Sequence, residues 1–155
     1  WANLLKEIKG KSSLFQNSNP TKDHWLSSGG ANVSGLSFQL IITMTNAAVS
    51  FNFARPSKDE NKLLFDALFT HKASIEERYG EPLVWDRGNE QKSSKITDTL
   101  TNVNYFSKDD WNQIITFLII QMNKLEDALK PYLSNLKNAL KDVDFEDDDE
   151  RISGD

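Results

Sequence analysis

At 155 residues the chain is the size of one domain with its own core, and a composition of 38% hydrophobic, 10% aromatic and 26% charged residues excludes a disordered polymer. It has no cysteine, which excludes a disulfide framework and any thiolate metal site, and no apolar run reaches the roughly 20 residues of a membrane-spanning helix. The net charge of −5 is unevenly spread: residues 141–155 hold eight acids against Lys141 and Arg151, so residues 1–140 carry only +1. The expectation is one domain over residues 1–140 and an acidic, disordered tail over 141–155, in the cytoplasm and without a membrane partner. Trp1 stands where an initiator methionine is expected, so the chain reads as the C-terminal part of a longer one with a domain ahead of it.

In chain order, Leu4, Leu5 and Ile8 at helical spacing predict a short helix running loosely toward Leu14 and Phe15, broken near Gly10. Gln16 to Ser34 is rich in Asn, Ser, Pro and Gly and predicts a loop, with His24, Trp25 and Leu26 tucked against the core. Leu36, Phe38, Leu40, Ile42 and Met44 alternate with Ser37, Gln39, Ile41 and Thr43, as in a strand with one buried face. A turn at Thr45 to Ala47 leads to a second strand carrying Val49, Phe51 and Phe53, which Pro56 ends.

Ser57 with Glu60 has the spacing of a capping box. The helix that follows buries Leu64, Leu68, His71, Ile75 and Tyr79 and stops at Gly80 and Pro82. Leu83 to Arg87 and Lys92 to Leu100 predict a second hairpin around a Gly88 to Gln91 turn. Ser107 with Asp110 repeats the capping-box spacing before a long helix buried through Trp111, Ile114, Ile115, Leu118, Ile119, Met122, Leu125 and Leu129. Pro131 is a candidate kink, and Tyr132, Leu133, Leu136 and Leu140 prolong the apolar face. The predicted fold is α+β, in helix-hairpin-helix-hairpin-helix order: a four-stranded antiparallel sheet from two hairpins, with amphipathic helices packed on one face.

The segments HWLSSGGANVSGLSFQL, DENKLLFDALFTHKASIEERYGEPLVWDR, SSKI and DDWNQIITFLIIQMNKLEDALKPYL resemble the bacterial and archaeal family catalogued as domain of unknown function 4268, over nearly residues 1 to 137. The most specific piece is the helix ending in IEERYG followed by EPLVWDR. The resemblance implies a context downstream of restriction-type nuclease domains, fused or separate. It carries over no catalytic residue.

No enzyme signature stands on its own. Glu60-Asn61-Lys62 matches the Asp/Glu-x-Lys triplet of magnesium nucleases, but it falls in a helix first turn where Glu60 has a capping role, and it lacks an upstream carboxylate partner. His24 and His71 are too few for a zinc site, and no cofactor-binding loop is present. The expectation is a non-catalytic accessory domain without metal or cofactor, recognising DNA or RNA in a nuclease or defence system. Its candidate nucleic-acid contacts are Arg55 at the end of the second strand, Arg87, Lys92 and Lys95 around the second hairpin, and Lys22, His24 and Trp25 in a loop approaching the same sheet edge. The alternative is a protein-interaction module or homodimer using Phe117, Ile120 and Leu133 of the long helix.

Overall fold

The computed structural model describes residues 25–28, 33–104 and 107–154; the expected helix of residues 4–15, with Lys22 and His24, lies outside them. Five strands form one sheet: β1 (Trp25–Ser28), β2 (Leu36–Ile42), β3 (Ala47–Phe53), β4 (Val84–Asp86) and β5 (Ser94–Leu100). They lie in the order β1-β2-β3-β5-β4, each antiparallel to its neighbours. Three helices complete the described fold, α1 (Lys58–Phe69), α2 (Lys72–Tyr79) and α3 (Lys108–Gly154), and the class is α+β.

The four expected strands are present, but the expected order is not. Trp25–Ser28, expected in a loop, pairs with β2 and makes a fifth, edge strand, Trp25 opposite Ile41. Its four residues are too few for periodicity to reveal. The single helix expected from Ser57 to Gly80 is two. His71 leaves helical geometry at φ −105 and ψ 16. It is exposed and not on a buried stripe, its ring stacked 4.7 Å from Tyr132. Met44, expected to extend β2, is 63% exposed in the Thr43–Asn46 turn, where the Asn46 N–H donates to Thr43 Oγ1.

The register explains the core. Phe38 faces Phe51, Leu40 faces Val49 and Leu36 faces Phe53, and all six are at most 2% exposed. Phe51 faces Ile96 on the other side. Leu64, Phe65 and Leu68 of α1, Ile75 and Tyr79 of α2, and Ile114, Leu118, Met122, Leu125 and Leu129 of α3 close over this face. Aromatic rings run through it edge to face, Phe38 to Phe51 at 4.9 Å, Phe51 to Phe53 at 5.2 Å and Phe53 to Phe65 at 5.9 Å. Each such pair adds about 1 kcal/mol beyond the area it buries.

Helix α3 continues unbroken through Pro131 and the acidic run to Gly154, about 70 Å in all. Phe117 and Leu133 are half-buried against the core, leaving Ile120, 51% exposed, as the open member of the expected interaction face. Among the described residues no helix is long and apolar enough to cross a membrane.

Candidate nucleic-acid interface at one end of the sheet

Phe53 and Ser94 are register partners, so β3 ends where β5 begins. Asp86 is opposite Lys95, so β4 ends there too. The chain then starts α1, with Ser57 Oγ accepting from the Glu60 N–H at 3.3 Å. The reciprocal half of the expected capping box is absent: Glu60 Oε2 takes Arg55 Nε at 2.6 Å instead. A fully charged partner within reach outcompetes a backbone N–H.

The next two residues reach further. Asn61 is wholly buried and accepts the Arg55 N–H at 2.8 Å through Oδ1, while its Nδ2 donates to Arg55 O at 3.1 Å and Lys92 O at 2.9 Å. Lys62, 7% exposed, sends Nζ to Arg87 O, Gly88 O, Ser93 O and Ser94 Oγ at 2.5, 2.8, 2.8 and 3.0 Å. Burial, with the nearby Lys58 and Arg87 charges, lowers the pKa of this ammonium. Thus the Glu60-Asn61-Lys62 triplet is committed side chain by side chain to the ends of three strands.

Through this node Arg55, Arg87, Lys92 and Lys95 come to one end of the sheet, though they span 41 positions of sequence. They are not equivalent there. Arg55 Nη1 donates to Ser34 O at 2.6 Å, and the guanidinium is mostly enclosed. Arg87 grips Asp66 in a two-pronged pair, Nε to Oδ1 at 2.9 Å and Nη2 to Oδ2 at 3.0 Å, which raises its pKa. Lys92 and Lys95 are exposed and form no ion pair with any described residue.

Trp25 does not join them. It lies at the register level of Ile41, Ala48 and Thr99, on the opposite edge from β4, about 20 Å from Lys95 by strand spacing and rise. Trp25 thus stands apart from the other candidates, while Lys22 and His24 lie outside the described residues.

Residues 1–133 match a protein family described as a domain of unknown function, DUF4268. The chain belongs to that family. No curated protein matches it, and no solved structure does.

Elsewhere in this DUF4268 chain a second polar cluster interrupts the core, one that apolar periodicity hid by assigning Tyr79 to a buried stripe. Tyr79 Oη donates to Asp98 Oδ2 at 2.6 Å, and Gln121 Nε2 donates to both, at 2.9 Å each. Burial first, then the Asp98 carboxylate, push the Tyr79 pKa up. The signal for this cluster was Asp98 itself, a charged residue at an inward position between Ile96 and Leu100. Beside it a shallow concavity of about 370 Å³ is lined by Glu76, Glu77 and Glu81 with Ala73, Gly80 and Pro82, the wrong sign of charge for phosphate. Among the described residues no three His, Cys, Asp or Glu side chains converge to hold a metal ion. Asn61 and Lys62, which sequence reading named only within the Glu60-Asn61-Lys62 triplet, are the residues whose part in the strand-end site their spacing did not reveal.

Proposed function

We propose that this domain is a non-catalytic accessory module that holds DNA or RNA through the end of its sheet, beside a nuclease domain of a defence system in the cytoplasm. The observation behind the reading is the convergence of Arg55, Arg87, Lys92 and Lys95 on strand ends tied together by one buried node. Because Glu60 and Asp66 occupy the two arginines, Lys92 and Lys95 are the phosphate contacts. Two contacts support weak, salt-sensitive binding, with log affinity falling against log salt at a slope of about −1.4 for a single strand and −1.8 for a duplex. Such binding suits a module that retains a substrate for a neighbour.

The test is retention of labelled single-stranded and duplex DNA and RNA at low salt. The wild-type domain binds and Lys92→Ala/Lys95→Ala does not, with unchanged melting; no retention of any of them by the wild type rejects the reading.

A second reading has its own observation. Val84 is 61% exposed on the β4 edge, and Phe69, 47% exposed, lies 5.6 Å from the Trp85 ring. Phe69 and Trp85 on the helix side of β4, with Val84 on its other face, leave this edge apolar beside Arg87, the composition of a protein-docking surface. Pull-down of an adjoining nuclease domain, lost in Phe69→Ser/Val84→Thr and kept in the lysine variant, favours that reading.

A further inference from the structure

The oxygens around Lys62 Nζ outnumber the three protons it carries: Arg87 O, Gly88 O, Ser93 O and Ser94 Oγ all lie within 3.0 Å. None is a carboxylate. Three are backbone carbonyls, and Ser94 Oγ–H donates to Arg87 O at 2.7 Å, leaving its own oxygen directed at the ammonium. A buried lysine is ordinarily matched by an acid, because an unpaired charge in the interior is costly. Here Asp86 and Asp66 act only from a distance and the direct contacts are a ring of dipoles, the arrangement by which proteins replace the hydration shell of a bound cation.

The hairpin is shaped for it. Gly88 sits at φ +61, and a Cβ there would stand 2.7 Å from Ser93 O, so glycine lets two of the carbonyls converge. The Gly88 N–H is held by Asp86 Oδ1 at 3.0 Å, and Gln91 N–H returns to Gly88 O at 2.8 Å, closing the turn around the ammonium. Lys92 and Lys95 leave from the same turn and the strand after it.

We infer that the β4–β5 hairpin is a carbonyl-lined cation site filled from within by Lys62, which makes Lys62 a positioning residue for Lys92 and Lys95; the second clause rests on the function proposed above. When the side chain is cut back, the same four oxygens take up a free monovalent cation.

Hydrogen exchange and nucleic-acid retention on the full chain test this together. In the wild type the Lys62 ammonium protons exchange slowly enough at neutral pH to be seen by nitrogen-correlated NMR; protons as fast as those of Lys92 overturn the assignment without any variant. In Lys62→Met, amides of Gly88 to Ser94 exchange at least tenfold faster while those of Phe38 to Leu40 and Val49 to Phe51 are unchanged, and nucleic-acid affinity falls several-fold. In Lys62→Ala, ammonium or potassium chloride restores protection of the hairpin, and tetramethylammonium chloride at the same ionic strength does not. Equal hairpin exchange in Lys62→Met and the wild type, or equal response to ammonium and tetramethylammonium, rejects the inference. Should the wild type retain no nucleic acid while the exchange pattern responds as stated, the cation site is upheld and the interface reading alone falls.

Discussion

Asn61 replaces a stretch of sheet ladder with one side chain. It serves the N–H and C=O of Arg55 and the C=O of Lys92, three backbone groups at points where strands end and ladder partners run out. Asn61→Ala leaves these part-buried groups without their partner, and a cost of about 1–3 kcal/mol is expected, read as a lowered midpoint in urea without a change of slope. Glu76 plays a comparable part at the start of β4, where its Oε2 accepts the Leu83 N–H at 2.7 Å and the Trp85 indole N–H at 3.4 Å while Oε1 pairs with Lys72 at 2.9 Å. Burial alone would raise its pKa; the Leu83 N–H, Lys72 and Trp85 outweigh it and hold the carboxylate below its ordinary 4.5. A carboxylate with a depressed folded pKa stabilises above its unfolded value and loses that contribution as pH falls through the folded one. Stability between about pH 5 and pH 3 is therefore expected to fall less steeply in Glu76→Gln than in the wild type, as chemical denaturation at each pH reports.

At the scale of elements, strict alternation was the readable signal. β2 and β3 follow it and pair through Phe38 and Phe51 as their inward positions demand. It failed where another force decided the ends. Met44 continues the alternation of β2, yet the Thr43 to Asn46 turn closes first. The break at His71 has no glycine or proline to announce it; Thr70 Oγ1 turns back to Ala67 O at 2.8 Å and His71 N–H takes Leu68 O at 2.9 Å, a tightening of the last turn set by local hydrogen bonds. The candidate site was legible as a set of cations and illegible as a geometry, since which arginines are already paired depends on Asp66 and Glu60 arriving from α1. The open end of the β2–β3 hairpin gives a test. Gly35 stands at φ +84, and a Cβ there would lie 2.6 Å from Arg55 Cγ and 2.9 Å from Arg55 Cα. Gly35→Ala is expected to cost at least about 2 kcal/mol of strain and to displace Arg55, seen as a lowered melting temperature and shifted Arg55 and Ala54 amide resonances.

The whole molecule is a sheet whose helix-covered face is spent on the core and one of whose ends presents Lys92 and Lys95 to solvent. Such a division leaves binding to turns and termini held on a rigid scaffold. The acidic charge of the chain, concentrated in residues 141–155, does not oppose this, because residues 1–140 are nearly neutral and Lys92 and Lys95 meet solvent with no carboxylate bridge among the described residues. The most direct measurement is a salt titration of fluorescence anisotropy with labelled single-stranded nucleic acid. The expected result is binding at low salt with a log-log slope of about −1.4, and no measurable binding for Lys92→Ala/Lys95→Ala. Binding by that double variant with the wild-type affinity and slope, or no binding by the wild type, would contradict it.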